Sequence, residues 1–171
     1  MKLPILALSA VLLTNFVCPS ASAEDQTIAY PEEKSASFLI DAPENWKLEQ
    51  AEDDDGYFTL EGPTGAVLSF RTIKGTEASL DAAIDESIEF LKENYKEPDL
   101  QKPTDDTING LKGFASFGTG KDKEDGTPMV FGMGWYALPD NKLAEVWFTA
   151  DATDEKGAAA AGKIVKSLRA P

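Results

Sequence analysis

Two periods of hydrophobicity divide this chain. From Phe38 to Ile73, and again from Ile108 to Ala150, apolar residues tend to recur at every second position, as in half-buried strands. Between those runs and after the second one they recur every three or four positions, as on one side of a helix. The first run predicts strands at Phe38-Leu39-Ile40, stopped by Asp41-Ala42-Pro43, and at Trp46-Lys47-Leu48-Glu49. A hairpin follows, with arms Tyr57-Phe58-Thr59-Leu60 and Ala66 to Ile73 joined by Gly62-Pro63-Thr64-Gly65, residues suited to a tight turn.

Leu80, Ile84, Ile88, Leu91 and Tyr95 then form the apolar stripe of a first helix. Ser79 is placed to cap it, Lys92 and Lys96 lie near its end where the dipole favours cations, and Pro98 stops it. A polar loop is predicted from there to Pro103. Asn109-Gly110, flanked by Thr107-Ile108 and Leu111, is a strong signal for a two-residue hairpin turn. The strand from Leu111 to Thr119 leads to a charged loop, Lys121 to Gly126. In the strand from Met129 to Leu138, Met129, Phe131, Met133 and Trp135 alternate with Val130, Gly132, Gly134 and Tyr136. Pro139-Asp140-Asn141 turns the chain into Leu143 to Ala150, where Val146 and Phe148 face one way and Glu145 and Trp147 the other. Thr153 is placed to cap a final helix whose apolar side is Ala158, Ala161, Ile164, Val165 and Leu168.

Consecutive strands joined by tight turns pair antiparallel, and each amphipathic helix must bury its stripe against them. The expected fold is α+β: an antiparallel sheet of about six to eight strands packed with two helices.

The first 23 residues read differently. Lys2 precedes an apolar run from Leu3 to about Val17, and Ala21-Ser22-Ala23 stands just before Glu24-Asp25: the layout of a secretory signal peptide cleaved after Ala23. Cys18 is no lipoprotein cysteine on this reading, because Val17 stands where a small residue is expected. The domain plan is therefore a signal peptide (1–23), a polar leader (24–36) and one α+β domain (37–171), in a periplasmic or secreted protein. The apolar run is shorter than the roughly 20 residues of a membrane helix, and no later stretch approaches that length.

Cleavage sharpens the composition. It removes the only cysteine, and the chain has no histidine, which excludes Ser-His-Asp and Cys-His catalysis, His-ligated zinc, thiol chemistry and disulfides in the mature protein. Without Lys2, 15 basic residues face 30 acidic ones. Such a charge disfavours nucleic acid and anionic lipid and suits a cationic ligand, calcium or a basic surface.

The calcium candidate is Asp53-Asp54-Asp55-Gly56. Aligned on its glycine it has Ala51 and Gly62 at two key ligand positions, so it reads as a solvated turn and no cofactor is expected. The segment Gly113 to Lys121 matches neither a nucleophile elbow nor a phosphate loop: Ser116 is three residues beyond Gly113, and Thr119 stands where the lysine belongs. Gly113, Gly118, Gly120, Gly132 and Gly134 instead suggest that something packs close to the sheet, a helix first and a ligand or partner second. Carboxylate pairs on the first helix, Asp85/Glu89 and Glu86/Glu93, read as its wet side.

Three stretches resemble the PsbP/Mog-type fold family: "FLIDAPENW" (Phe38 to Trp46), the hairpin-then-helix order of residues 57–96, and the closing "AAGKIVKSLR" (Ala160 to Arg169). That family includes the photosystem II extrinsic subunit and exported bacterial proteins, mostly docking and accessory proteins rather than enzymes. The resemblance implies binding and points to no site residue. From the strand pattern, Trp135, Tyr136, Trp147 and Phe148 form a docking or ligand patch if one sheet face is uncovered; if both faces are covered they are core. The leading expectation is a non-catalytic accessory protein that binds another envelope or extracellular protein through a sheet face or groove. The alternatives are a small-ligand carrier and a carboxylate- or calcium-dependent enzyme.

Overall fold

The computed structural model describes residues 24–50 and 56–171. The expected signal peptide (1–23) and residues 52–55 of the expected acidic turn lie outside the described residues.

Alternation builds the strands and tight turns set their partners. β4 (Phe58–Glu61) and β5 (Val67–Lys74) form the expected hairpin, with β3 (Lys47–Glu49) on the outer side of β4. β7 (Thr104–Ile108) turns into β8 (Leu111–Asp122) through Asn109 and Gly110, both at positive φ (47° and 86°) as this hairpin turn requires. β9 (Pro128–Leu138) and β10 (Lys142–Asp151) continue the meander, and β10 then pairs with β5, joining the two halves. The eight-stranded sheet runs β3-β4-β5-β10-β9-β8-β6, where β6 (Tyr95–Leu100) and β7 share the outer edge of β8.

α1 (Glu77–Asn94) covers one face and α2 (Glu155–Lys166) the other. α2 shares its face with a separate hairpin of β1 (Asp25–Tyr30) and β2 (Phe38–Pro43). The result is a three-layer α+β molecule with two cores. On the α2 side Phe38, Phe58 and Phe70 join Tyr136, Val146 and Ile164. On the α1 side Leu91 and Tyr95 join Phe131, Met133, Trp135 and Trp147.

Four local expectations are corrected. The polar leader contains β1, because Tyr30 stacks on Phe38 and Phe58 with ring centroids 5.1 and 5.2 Å apart. The loop before Pro103 holds β6, which takes over directly from α1 because Tyr95 pairs with Asp122 across the sheet edge. The caps shift as well: the Thr76 hydroxyl, not Ser79, accepts the first-turn N–H of α1, and Asp154, not Thr153, caps α2. Finally, Ala83, Ser87 and Leu91 are the buried line of α1, while Leu80 and Ile84 are half-buried beside it.

Candidate functional site

The two helices decide the fate of the aromatic patch. Trp135, Tyr136 and Trp147 are buried and Phe148 is half-buried. Because neighbours on a strand point to opposite faces, Trp135 and Trp147 lie under α1, while Tyr136 and Phe148 lie in or against the core beneath α2. The four residues form no common surface; they are divided between two cores.

The glycines also have a different occupant from the one expected. The ring of Phe117 lies over Gly132, that of Tyr136 over Gly134 and Gly113, and that of Phe131 over Gly118 and Gly120. A Cβ at Gly134 would come within 2.9 Å of the Tyr136 ring, and one at Gly118 within 2.5 Å of Phe131. Aromatic side chains of the sheet itself, rather than a helix, fill the space.

On the α2 side this leaves an apolar groove of about 460 Å³. Ala115, Gly132, Gly134 and Phe148 contribute to its floor, and Ala158 and Val165 of α2 to its wall. Phe117 stands at this groove with 56% of its surface exposed, although Gly132 beneath it leaves room for the ring. Tyr136 donates its hydroxyl proton to Asp106 Oδ2 at 2.8 Å, and burial together with this acceptor pushes the phenol well above its usual range. The exposed lysines of α2, Lys156, Lys163 and Lys166, have no carboxylate partner among the described residues.

The α1 side is polar at one point. Glu145, in the middle of β10, has no exposed surface, and Arg71 Nε donates to its Oε2 at 2.6 Å. Arg71 Nη2 reaches Glu86 Oε2 of α1 at 2.8 Å, and its guanidinium lies 4.4 Å from the centre of the Tyr57 ring. Ser87 of α1 approaches the other Glu145 oxygen at 3.5 Å. Burial, then the neighbouring Glu145 charge, keep the Tyr57 hydroxyl protonated far above its ordinary range. The small side chains Ala83 and Ser87 let α1 approach this network closely. Beside it opens a cleft of about 320 Å³ among Tyr57, Phe90, Tyr95 and Trp147.

Glu145 and Arg71 were not singled out by the sequence pattern as a pair. The available signal was a lone carboxylate inside the apolar run Leu143 to Ala150 and one of only two arginines in the chain on another strand. The other arginine, Arg169, makes a two-pronged contact with Asp41 of β2 at 2.8 and 2.9 Å, closing the C-terminal segment onto the first hairpin. Among the described residues no group of three or more carboxylates gathers to hold a metal ion.

No protein-family model and no curated protein matches the chain. Solved structures do. Cyanobacterial PsbP (CyanoP) from Synechocystis sp. PCC 6803 matches 90% of this chain and 97% of its own at 10% identity, with a TM-score of 0.57. The Saccharomyces cerevisiae Ran-binding protein Mog1p matches 87% and 96% at 11% identity, TM-score 0.56. LpqN of Mycobacterium tuberculosis, involved in cell envelope biogenesis, matches 86% and 91% at 14% identity, TM-score 0.55. A longer Bacteroides thetaiotaomicron structure is covered over only 45% of its length. The fold is therefore of the PsbP/Mog type. Among the described residues no helix is long and apolar enough to cross a membrane.

Proposed function

We propose that this chain is an exported, non-catalytic binding protein. In this reading the α2-side groove receives an apolar, acid-flanked segment of another envelope or extracellular protein. The observation that carries it is Phe117, a large apolar side chain left 56% exposed beside an apolar groove. Lys166 of α2, which borders the groove and has no carboxylate partner among the described residues, supplies the charge preference in a chain with 30 acidic and 16 basic residues. The signal-peptide pattern of residues 1–23 supports export. The solved neighbours agree in kind, since one is named as a Ran-binding protein and another for envelope biogenesis.

Photo-crosslinking in the native cells tests the proposal. Benzoylphenylalanine placed at Phe117 is expected to capture one protein from the envelope or medium, while the same probe at Leu48, exposed on β3 away from the groove, captures none. Identical adducts from both positions, or none from either, would refute docking in this groove.

A further inference from the structure

We propose that the cleft between α1 and the β4-β5-β10 part of the sheet is a second binding site, for a small organic cation carrying an alkylated ammonium group. Phe148 borders both this cleft and the α2-side groove, but Tyr57, Glu86, Phe90, Tyr95 and Trp147 border the cleft and not the groove, so the proposal stands or falls separately.

Its walls are the first argument. Trp147 from β10, Tyr95 at the end of α1, Phe90 from α1 and Tyr57 before β4 all border one cavity of about 320 Å³, large enough for a compact ligand. Phe90 meets Trp147 at 5.4 Å and 73°, and Tyr95 at 6.4 Å and 70°, so the rings make a corner rather than a stack. Aromatic faces carry partial negative charge and attract a cation held near them. Phe90 remains 45% exposed at this corner, an unusual position for a phenylalanine with a core close by.

Charge is the second argument. No lysine or arginine lines the cleft, whereas Glu86 does. Arg71 is the nearest cation of the buried network, and it is held by two carboxylates, Glu145 and Glu86, leaving one negative charge in excess. The field of the whole chain, with 30 acidic and 16 basic residues, has the same sign.

The remaining lining selects among cations. Thr59 and Ser69 at the cleft bond to each other at 3.1 Å, leaving one carboxylate, the hydroxyls of Ser87 and Thr149 and the phenols of Tyr57 and Tyr95 as the other side-chain oxygen groups. A hard metal ion wants six or more oxygens and would not exchange its water for aromatic rings. An alkylated ammonium is weakly hydrated, apolar on its outside and positive, which matches rings plus one carboxylate.

The test titrates the protein with choline, and with 3,3-dimethylbutanol as the uncharged molecule of the same shape, at constant ionic strength. Choline is expected to saturate and to move the Trp147 indole resonance while those of Trp46 and Trp135 stay in place. The neutral analogue should bind at least about fivefold more weakly. Phe90→Ala and Glu86→Gln, both at exposed positions, should each weaken choline by a similar factor with an unchanged circular dichroism spectrum. Phe117→Ala should leave choline binding intact, which separates this site from the α2-side groove. Equal binding of the neutral analogue, indifference to both cleft variants, or no saturation up to about 10 mM choline would overturn the proposal.

Discussion

Glu145 carries the largest electrostatic liability of any single residue described here. A carboxylate without exposed surface is tolerable only because Arg71, Ser87 and Tyr57 surround it with donors or a polar contact. Glu86 binds the same guanidinium, but its side chain is 60% exposed and water competes for it. Removing the two carboxylates should therefore have unequal effects. Glu145→Ala is expected to cost about 3–5 kcal/mol, because it takes the buried partner from a mostly buried guanidinium and leaves it only the exposed Glu86. Glu86→Gln should cost about 1 kcal/mol or less. Urea unfolding of the two variants measures both, and similar losses would contradict the assignment of Glu145 as the anchor. The alternation of β10 already put Glu145 on the same face as Trp147. What alternation lacks is the identity of the opposing residue: Arg71 stands across from Glu145 only because β5 and β10, some 70 positions apart, pair in this register.

Among the elements, α2 is the one whose start is held by another part of the fold. Asp154 accepts from the Gly157 N–H at 2.9 Å and from the Thr64 hydroxyl at 2.5 Å, tying the helix to the β4–β5 turn. Asp154→Ala should destabilise by about 1–2 kcal/mol. Gly157→Ala sets two effects against each other. Helix propensity favours alanine by about 1 kcal/mol, yet the new Cβ would sit 1.9 Å from the Asp154 carboxylate. The clash wins, so the expected outcome is a lower melting temperature; a higher one would mean that the cap is dispensable. Helix ends are set by such contacts, which is why the caps predicted at Ser79 and Thr153 moved by one to three residues. β6 escaped the pattern for a related reason. Its Lys-Glu-Pro-Asp composition reads as loop, and it becomes a strand by pairing with β8 across a bulge where Glu97 takes a positive φ of 53°. The hairpins at 58–74 and 104–122 were legible because turn and arms are local to the sequence.

For the whole molecule the main revision is that the domain begins earlier than its hydrophobic pattern suggests. β1 pairs with β2 along six residues, and Tyr30 closes the aromatic stack over Phe38 and Phe58. Deleting residues 24–30 is expected to lower stability by at least about 3 kcal/mol, the cost of losing a buried aromatic and its neighbours. Unfolding curves that coincide with those of the intact protein would restore these residues to the status of a leader. The sandwich class, two of its hairpins, both helices and the lack of imidazole chemistry follow from local periodicity and composition, and these were readable along the chain. Which face each aromatic occupies was readable too. Whether that face is open was not, because coverage depends on how distant segments dock: α1 on one side, α2 with the β1–β2 hairpin on the other. Docking converted the expected patch of Trp135, Tyr136, Trp147 and Phe148 into two cores, and moved the accessible apolar surface to Phe117 and Phe90. Those two residues became candidates for contact because the rings and helices around them had already filled the interior.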